Sequence, residues 1–161
     1  MPRTLRLIAL PVLLLLLLAP AAARADDQSF ARTAITQAVT LDRYERAAST
    51  ALSKVDRKGL AAVPGARRAI KAVRQQVDRL LTAVRPEQTS TPAGAAAKKT
   101  LVTLLRKEKD GYGTLDRALA AYRAGDTATA RTLLSRAKRA LAVVRRDAAR
   151  LGATLRQLAG E

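Results

Sequence analysis

Ser135-Arg136-Ala137-Lys138 has the S-x-x-K spacing in which a lysine amine can take the proton of a serine hydroxyl. The supporting S-D-N and K-T-G elements are missing, and the four residues lie inside a regular apolar repeat. The motif therefore reads as helix surface. General acid–base chemistry needs two carboxyls held in a pocket with pKa values pushed apart. The candidates are Glu108 with Asp110, and Asp26 with Asp27. The first pair alternates with Lys107 and Lys109 and reads as a solvated, self-paired charge run. Glu108 is also a poor residue for a core. The second pair reads as a frayed terminus. Basic side chains form the third set. Arg67, Lys71 and Arg74 share one flank of a helical segment, and Lys98, Lys99, Arg106 and Lys107 add charge to the next. Arg131, Lys138 and Arg145 recur every seven residues, with Arg139 and Arg146 beside them. Such rows can neutralise anionic groups in a salt-sensitive way without sequence preference. They also match the solvated helix faces of any arginine-rich protein.

Several chemistries are closed by composition. The chain has no Cys, His, Asn or Trp, and Met1 is its only Met. No Ser-His or Cys-His nucleophile pair can be assembled. The usual zinc sites and Glu-x-x-His di-iron sites lack their ligands. Neither G-x-x-x-x-G-K-[ST] nor G-x-G-x-x-G occurs. The expectation is a non-enzyme with no catalytic residues, no metal and no cofactor. No disulfide can form, so packing alone must hold the fold.

The first 25 residues carry a separate message. Arg3 and Arg6 precede an apolar run from Leu7 to Ala19, and Ala23-Arg24-Ala25 supplies small residues at the positions a signal peptidase reads. The run is shorter than the roughly 20 residues a membrane-spanning helix needs. The pattern predicts a signal peptide over 1–25, cleaved after Ala25, and an exported chain, secreted or held in the periplasm or cell envelope. Residues 26–161 then form one domain, with no stable membrane span after cleavage. Three of the 30 basic residues lie in the leader and none of the 13 acids, which leaves 27 against 13, a net charge of +14.

Past the leader, the elements that must position these side chains can be read from breakers and period. Gly59, Pro64 and Gly65 form one group, Pro86, Pro92 and Gly94 a second, Gly125 with Asp126 a third. Three turns between four segments result. Each segment repeats apolar residues at steps of three and four, as in Ala66, Ile70, Val73, Val77, Leu80 and Val84. The expected fold is all-α: an antiparallel up-down-up-down four-helix bundle with a heptad-like, coiled-coil-type core and helices near 28–58, 65–85, 95–124 and 127–158. ARRAIKAVRQQVDRL, from Ala66, aligns with AKRALAVVRRDAARL, from Ala137, and TLDR occurs twice. A duplicated hairpin and a shared Ala/Arg/Leu vocabulary both produce such an echo.

Gly111-Tyr112-Gly113 interrupts the third segment. The stripe nevertheless keeps phase from Leu101 and Leu104 through Glu108 and Tyr112 to Leu115 and Leu119. A loop has no reason to keep phase. The expectation is a continuous helix with a soft joint, a candidate hinge at Gly111, Tyr112 and Gly113, and Tyr112 at the bundle seam needing a hydrogen-bond partner. Functionally, the sequence points to an exported bundle that acts on a partner protein or an anionic envelope surface. Two alternatives stand beside it. One is a basic protein that binds wall polymer, lipid headgroup or nucleic acid through Arg67, Lys71, Arg74, Arg131, Lys138, Arg139, Arg145 and Arg146. The other is a carrier of a small apolar ligand in the bundle core. Stacking aromatics are scarce, and export argues against a chromosomal role, so nucleic acid is not favoured.

Overall fold

Thr91 and Pro92 begin a helix rather than a loop. The Thr91 hydroxyl accepts the Gly94 amide at 3.1 Å, and Pro92, which has no N–H to leave unpaired, takes the first helical position. This is one start among four α-helices in the computed structural model, which describes residues 9–160, with side chains from Ala25 onward. Helix α1 is Ala9–Lys58, α2 Val63–Val84, α3 Pro92–Arg123 and α4 Thr127–Ala159; a 3-10 turn, Gly59–Ala62, joins the first two. No strand occurs among the described residues. Among them, too, no helix is long and apolar enough to cross a membrane.

The turns are made as their residues dictate. Gly59 ends α1 at φ +60, and Gly125 follows α3 at φ +83, conformations that a Cβ disfavours. Asp126 caps α4 by accepting the Thr129 amide at 3.0 Å.

Two expected boundaries change. The first helix, expected from near residue 28, begins at Ala9; from Ala21 to Lys58 it contains no Gly or Pro, so nothing at residue 28 interrupts it. The leader's side chains lie outside the described residues. The third helix starts at Pro92, three residues before its expected start. Gly94 sits inside its first turn because a Cβ there would collide with the Asp27 carboxylate.

The helices pack in a ring, α1 on α2, α2 on α3, α3 on α4 and α4 back on α1. Gln76 of α2 reaches Gln37 of α1, and Glu87, just beyond α2, accepts hydroxyls from Thr33 at 3.0 Å and Ser29 at 3.2 Å. Arg67 near the start of α2 meets Asp116 near the end of α3, and Asp78 meets Lys109. These contacts run α2 back along α1 and α3 back along α2. The expected stripe of α2 is buried throughout, as are Phe30, Ala34, Leu41 and Ala48 of α1. On α4, Ala130, Ala137, Val144, Leu151 and Leu155 are buried, but Leu134 and Ala148, which continue the same steps of three and four, are exposed.

Helix α3 runs unbroken through Gly111-Tyr112-Gly113. Gly111 has a packing reason: a Cβ there would lie 2.7 Å from Cδ2 of Leu141 on α4. Gly111→Ala is expected to lower stability by about 1 kcal/mol net, because overpacking against Leu141 costs about 2 kcal/mol and alanine returns about 1 kcal/mol of helix propensity. Denaturant unfolding measures it; a midpoint raised by that full propensity gain would mean that the contact is slack.

Candidate functional site

Helices α1 and α4 pack together, with Gly160 against Gln28 at one end, but they part over Glu45 to Gly59 and Thr127 to Arg145. A groove of about 710 Å³ lies between them. Its floor is the α3 stripe, with Leu115, Ala118 and Leu119 at its centre and the two tyrosines, Tyr112 and Tyr122, toward its ends. The α1 wall carries Glu45, Ser49, Leu52 and Asp56; the α4 wall carries Arg131, Leu134, Lys138, Leu141 and Arg145. Clefts of about 300–1,000 Å³ with an apolar lining and a few fixed polar groups are the usual size and chemistry of small-ligand sites. Leu52, Val55, Tyr122 and Leu141 around the groove are only partly buried, and Leu134 is 36% exposed. A second hollow, about 520 Å³, lies at the turn after α1 and is lined by small and basic side chains such as Ala62, Gly65, Lys54 and Arg68.

The three cations spaced seven apart on α4 come together on one wall of this groove because seven residues is nearly two helical turns. Arg131, Lys138 and Arg145 are exposed and make no ion pair among the described residues. Arg139 and Arg146 are exposed outside the groove, Arg146 beside Asp147 at 3.1 Å. The cations of α2 are elsewhere, across the diagonal of the ring. Arg67 is held by Asp116 through two hydrogen bonds of 2.7 and 3.0 Å, which lowers the Asp116 pKa. Arg74 is half-buried against Gly113 with its Nε enclosed and unpartnered, and Lys71 is exposed. The basic residues of α2 and α4 therefore do not form one surface.

At one end of the groove sits a polar cluster. The Tyr112 hydroxyl, in a side chain only 3% exposed, donates to Glu45 Oε1 at 2.9 Å. This is the partner that the phenol needs. Glu108, one helical turn earlier, is buried as well. Burial, then the hydrogen bond and charge of Glu45, push its carboxyl up to about 9, against a smaller pull from Arg145. Burial and the Glu45 charge likewise raise the Tyr112 phenol. Glu108 is therefore held as a neutral acid at neutral pH, chiefly by its burial. The solvated charge run expected at Glu108 is corrected: only Lys109 of its neighbours finds an acid, Asp78, at 2.6 Å. Glu45 was missed, although it follows Leu41 and Tyr44 at the edge of the α1 stripe.

The expected frayed terminus at Asp26-Asp27 is corrected too. Asp27 is 3% exposed; it accepts the Ser90 amide at 3.0 Å and the Thr91 hydroxyl. Asp26 accepts the Ser90 hydroxyl. The signal was present, since Asp27 lies three residues before Phe30 and seven before Ala34, on the buried stripe.

Ser135 of the S-x-x-K motif is exposed and lies outside the groove, while Lys138 lines it. Among the described residues, no three His, Cys, Asp or Glu side chains gather in a metal-ligating group. What the arrangement offers is an apolar trough with a cationic wall and a polar cluster of Glu45, Glu108 and Tyr112 at one end. Comparison of the chain with protein-family models, with curated proteins and with solved structures finds no match.

Proposed function

We propose that this chain is an exported, non-enzymatic protein, freed of its leader after Ala25, whose single domain, residues 26–161, is an up-down-up-down bundle that binds an anionic surface of the cell envelope. The observation that carries the reading is the row Arg131, Lys138 and Arg145, three unpaired, exposed cations along one wall of an apolar groove. A basic residue close to an anionic membrane contributes about 1 kcal/mol, and the contribution falls off within a Debye length. The α2 cations contribute less, because Arg67 is committed to Asp116 and Arg74 is packed against α3. Gly111, Tyr112 and Gly113 remain the proposed soft joint, beside the groove.

The test is sedimentation of the full chain with phosphatidylglycerol vesicles and with phosphatidylcholine vesicles. Binding to the anionic vesicles is expected to fall steeply between about 50 and 200 mM salt as the Debye length shortens. The triple variant Arg131→Gln, Lys138→Gln, Arg145→Gln is expected to weaken it by about 3 kcal/mol, or roughly a hundredfold. Equal binding to both vesicles, or indifference to salt and to the triple variant, would sink the reading.

A further inference from the structure

The α1 wall of the groove is not uniformly polar. Gln28 lies against Gly160 at one end of these helices, and Gly59 and Thr127 line the groove at the other, so α1 and α4 run antiparallel. Along the groove the α1 wall then reads Glu45, Ser49, Leu52, Asp56 while the α4 wall reads Arg145, Lys138, Arg131. Lys138, the middle cation, belongs to the stretch of Ser49 and Leu52, with Glu45 toward the Arg145 end and Asp56 toward the Arg131 end. Below Lys138 the floor is Leu115, Ala118 and Leu119. From Arg131 to Arg145 the trough runs fourteen residues, about 21 Å of helix.

A cation halfway along an apolar trough, unpaired and flanked by one cation toward each end, selects a particular occupant. A neutral hydrocarbon leaves Lys138 unused, and a polyanion leaves the apolar floor unused. An occupant with one narrow apolar chain and one negative head uses both features. We infer that the groove between α1 and α4 holds a single-chain anionic amphiphile of the long-chain carboxylate type, its chain along the α3 floor and its head at Lys138 and Ser49. The inference builds on the anion-binding reading of the same α4 wall and turns a surface contact into a one-to-one site.

The ligand covers Leu134, Leu52 and Leu141, which otherwise stay half in water, and removing such apolar area from water is the main driving force. The head adds a charge-assisted hydrogen bond of about the strength that one tenfold step in affinity represents.

The experiment is a calorimetric titration of the full chain with myristate below its micellar range, with dodecylphosphocholine as the zwitterionic single-chain control. Leader contributions are common to every variant and cancel in the comparison. Saturable binding of one myristate per chain is expected, with dodecylphosphocholine weaker. Lys138→Gln is expected to weaken myristate about tenfold, and Arg139→Gln, off the groove, to leave it unchanged. Ser49→Trp places a ring in the mouth of the groove from an exposed position, so the fold survives, as circular dichroism will show. It is expected to abolish the saturable component while anionic vesicles still bind. No saturable binding, or binding indifferent to Ser49→Trp or Lys138→Gln, overturns the inference. Vesicle binding without myristate binding refutes the groove site alone; myristate binding without vesicle binding refutes the surface reading alone.

Discussion

Glu108→Gln is expected to stabilise the protein by about 3 kcal/mol at pH 7 and to leave it nearly unchanged at pH 4. The folded-state pKa of Glu108 is raised, from 4.5 to about 9, so the folded chain keeps a proton that the unfolded chain gives up. Below the unfolded value both states are protonated and nothing is lost. As pH rises from there to about 9, stability falls by about 1.4 kcal/mol per unit, and above the folded value the loss levels off. Glutamine is neutral at every pH, fills the same volume, and its amide can donate to Glu45 as the protonated acid does. The wild type should therefore lose stability on going from weakly acid to alkaline solution, and the variant should lose much less. Asp116 works in the opposite direction. Its pKa is lowered, so the stability it adds through Arg67 is present above the usual carboxylate range and is lost as pH falls through the folded value. The two slopes place the wild-type optimum in weakly acid solution. Urea midpoints across pH 4 to 9 check this. Parallel curves for wild type and Glu108→Gln would mean that Glu108 carries a full charge in the folded state.

The second large effect concerns Asp27. Asp27→Ala removes the acceptor for the Ser90 amide and the Thr91 hydroxyl, and is expected to cost about 2 kcal/mol, a fall in Tm of about 4–8 °C for a chain of this size. Gly94→Ala should cost a similar amount, because its methyl meets the same carboxylate. The informative variant carries both changes. Once the carboxylate is gone, the methyl added at position 94 has room, so the double variant should be no less stable than Asp27→Ala alone. Such non-additivity is what contact predicts. Simple addition of the two losses would show that Asp27 and Gly94 act separately.

What could be read from the sequence is what local rules govern. Gly125-Asp126 fixes the start of α4 through a left-handed residue and a side-chain cap, both decided within four residues. The α2 stripe is buried in full, since α2 packs between two neighbours. Phase across Gly111 and Gly113 gave the continuity of α3, because a stripe that stays in register leaves a loop nothing to do. Reading failed where a distant residue decides. Glu108 looks solvated beside its lysines, and only the helices that close over it, with Glu45 on α1, make it a buried, neutral core group. Gly94 looks like a breaker until Asp27 is placed over it. Leu134 belongs to the α4 stripe by spacing, yet α1 does not close over it, and the groove follows from that gap. Its cationic wall was visible as a seven-residue repeat, but the apolar trough beneath it was not.

The two hairpins of the ring, α1–α2 and α3–α4, meet along two unequal seams. Between α2 and α3 the ion pairs Arg67–Asp116 and Asp78–Lys109 brace the edge at two heights. Between α1 and α4 no ion pair or side-chain hydrogen bond is made among the described residues; the polar cluster at one end of the groove ties α1 to α3 instead, through Tyr112 and Glu45. The molecule is therefore mechanically anisotropic: it flexes as a book does, with α2–α3 as its spine and α1–α4 as the edge where the pages part.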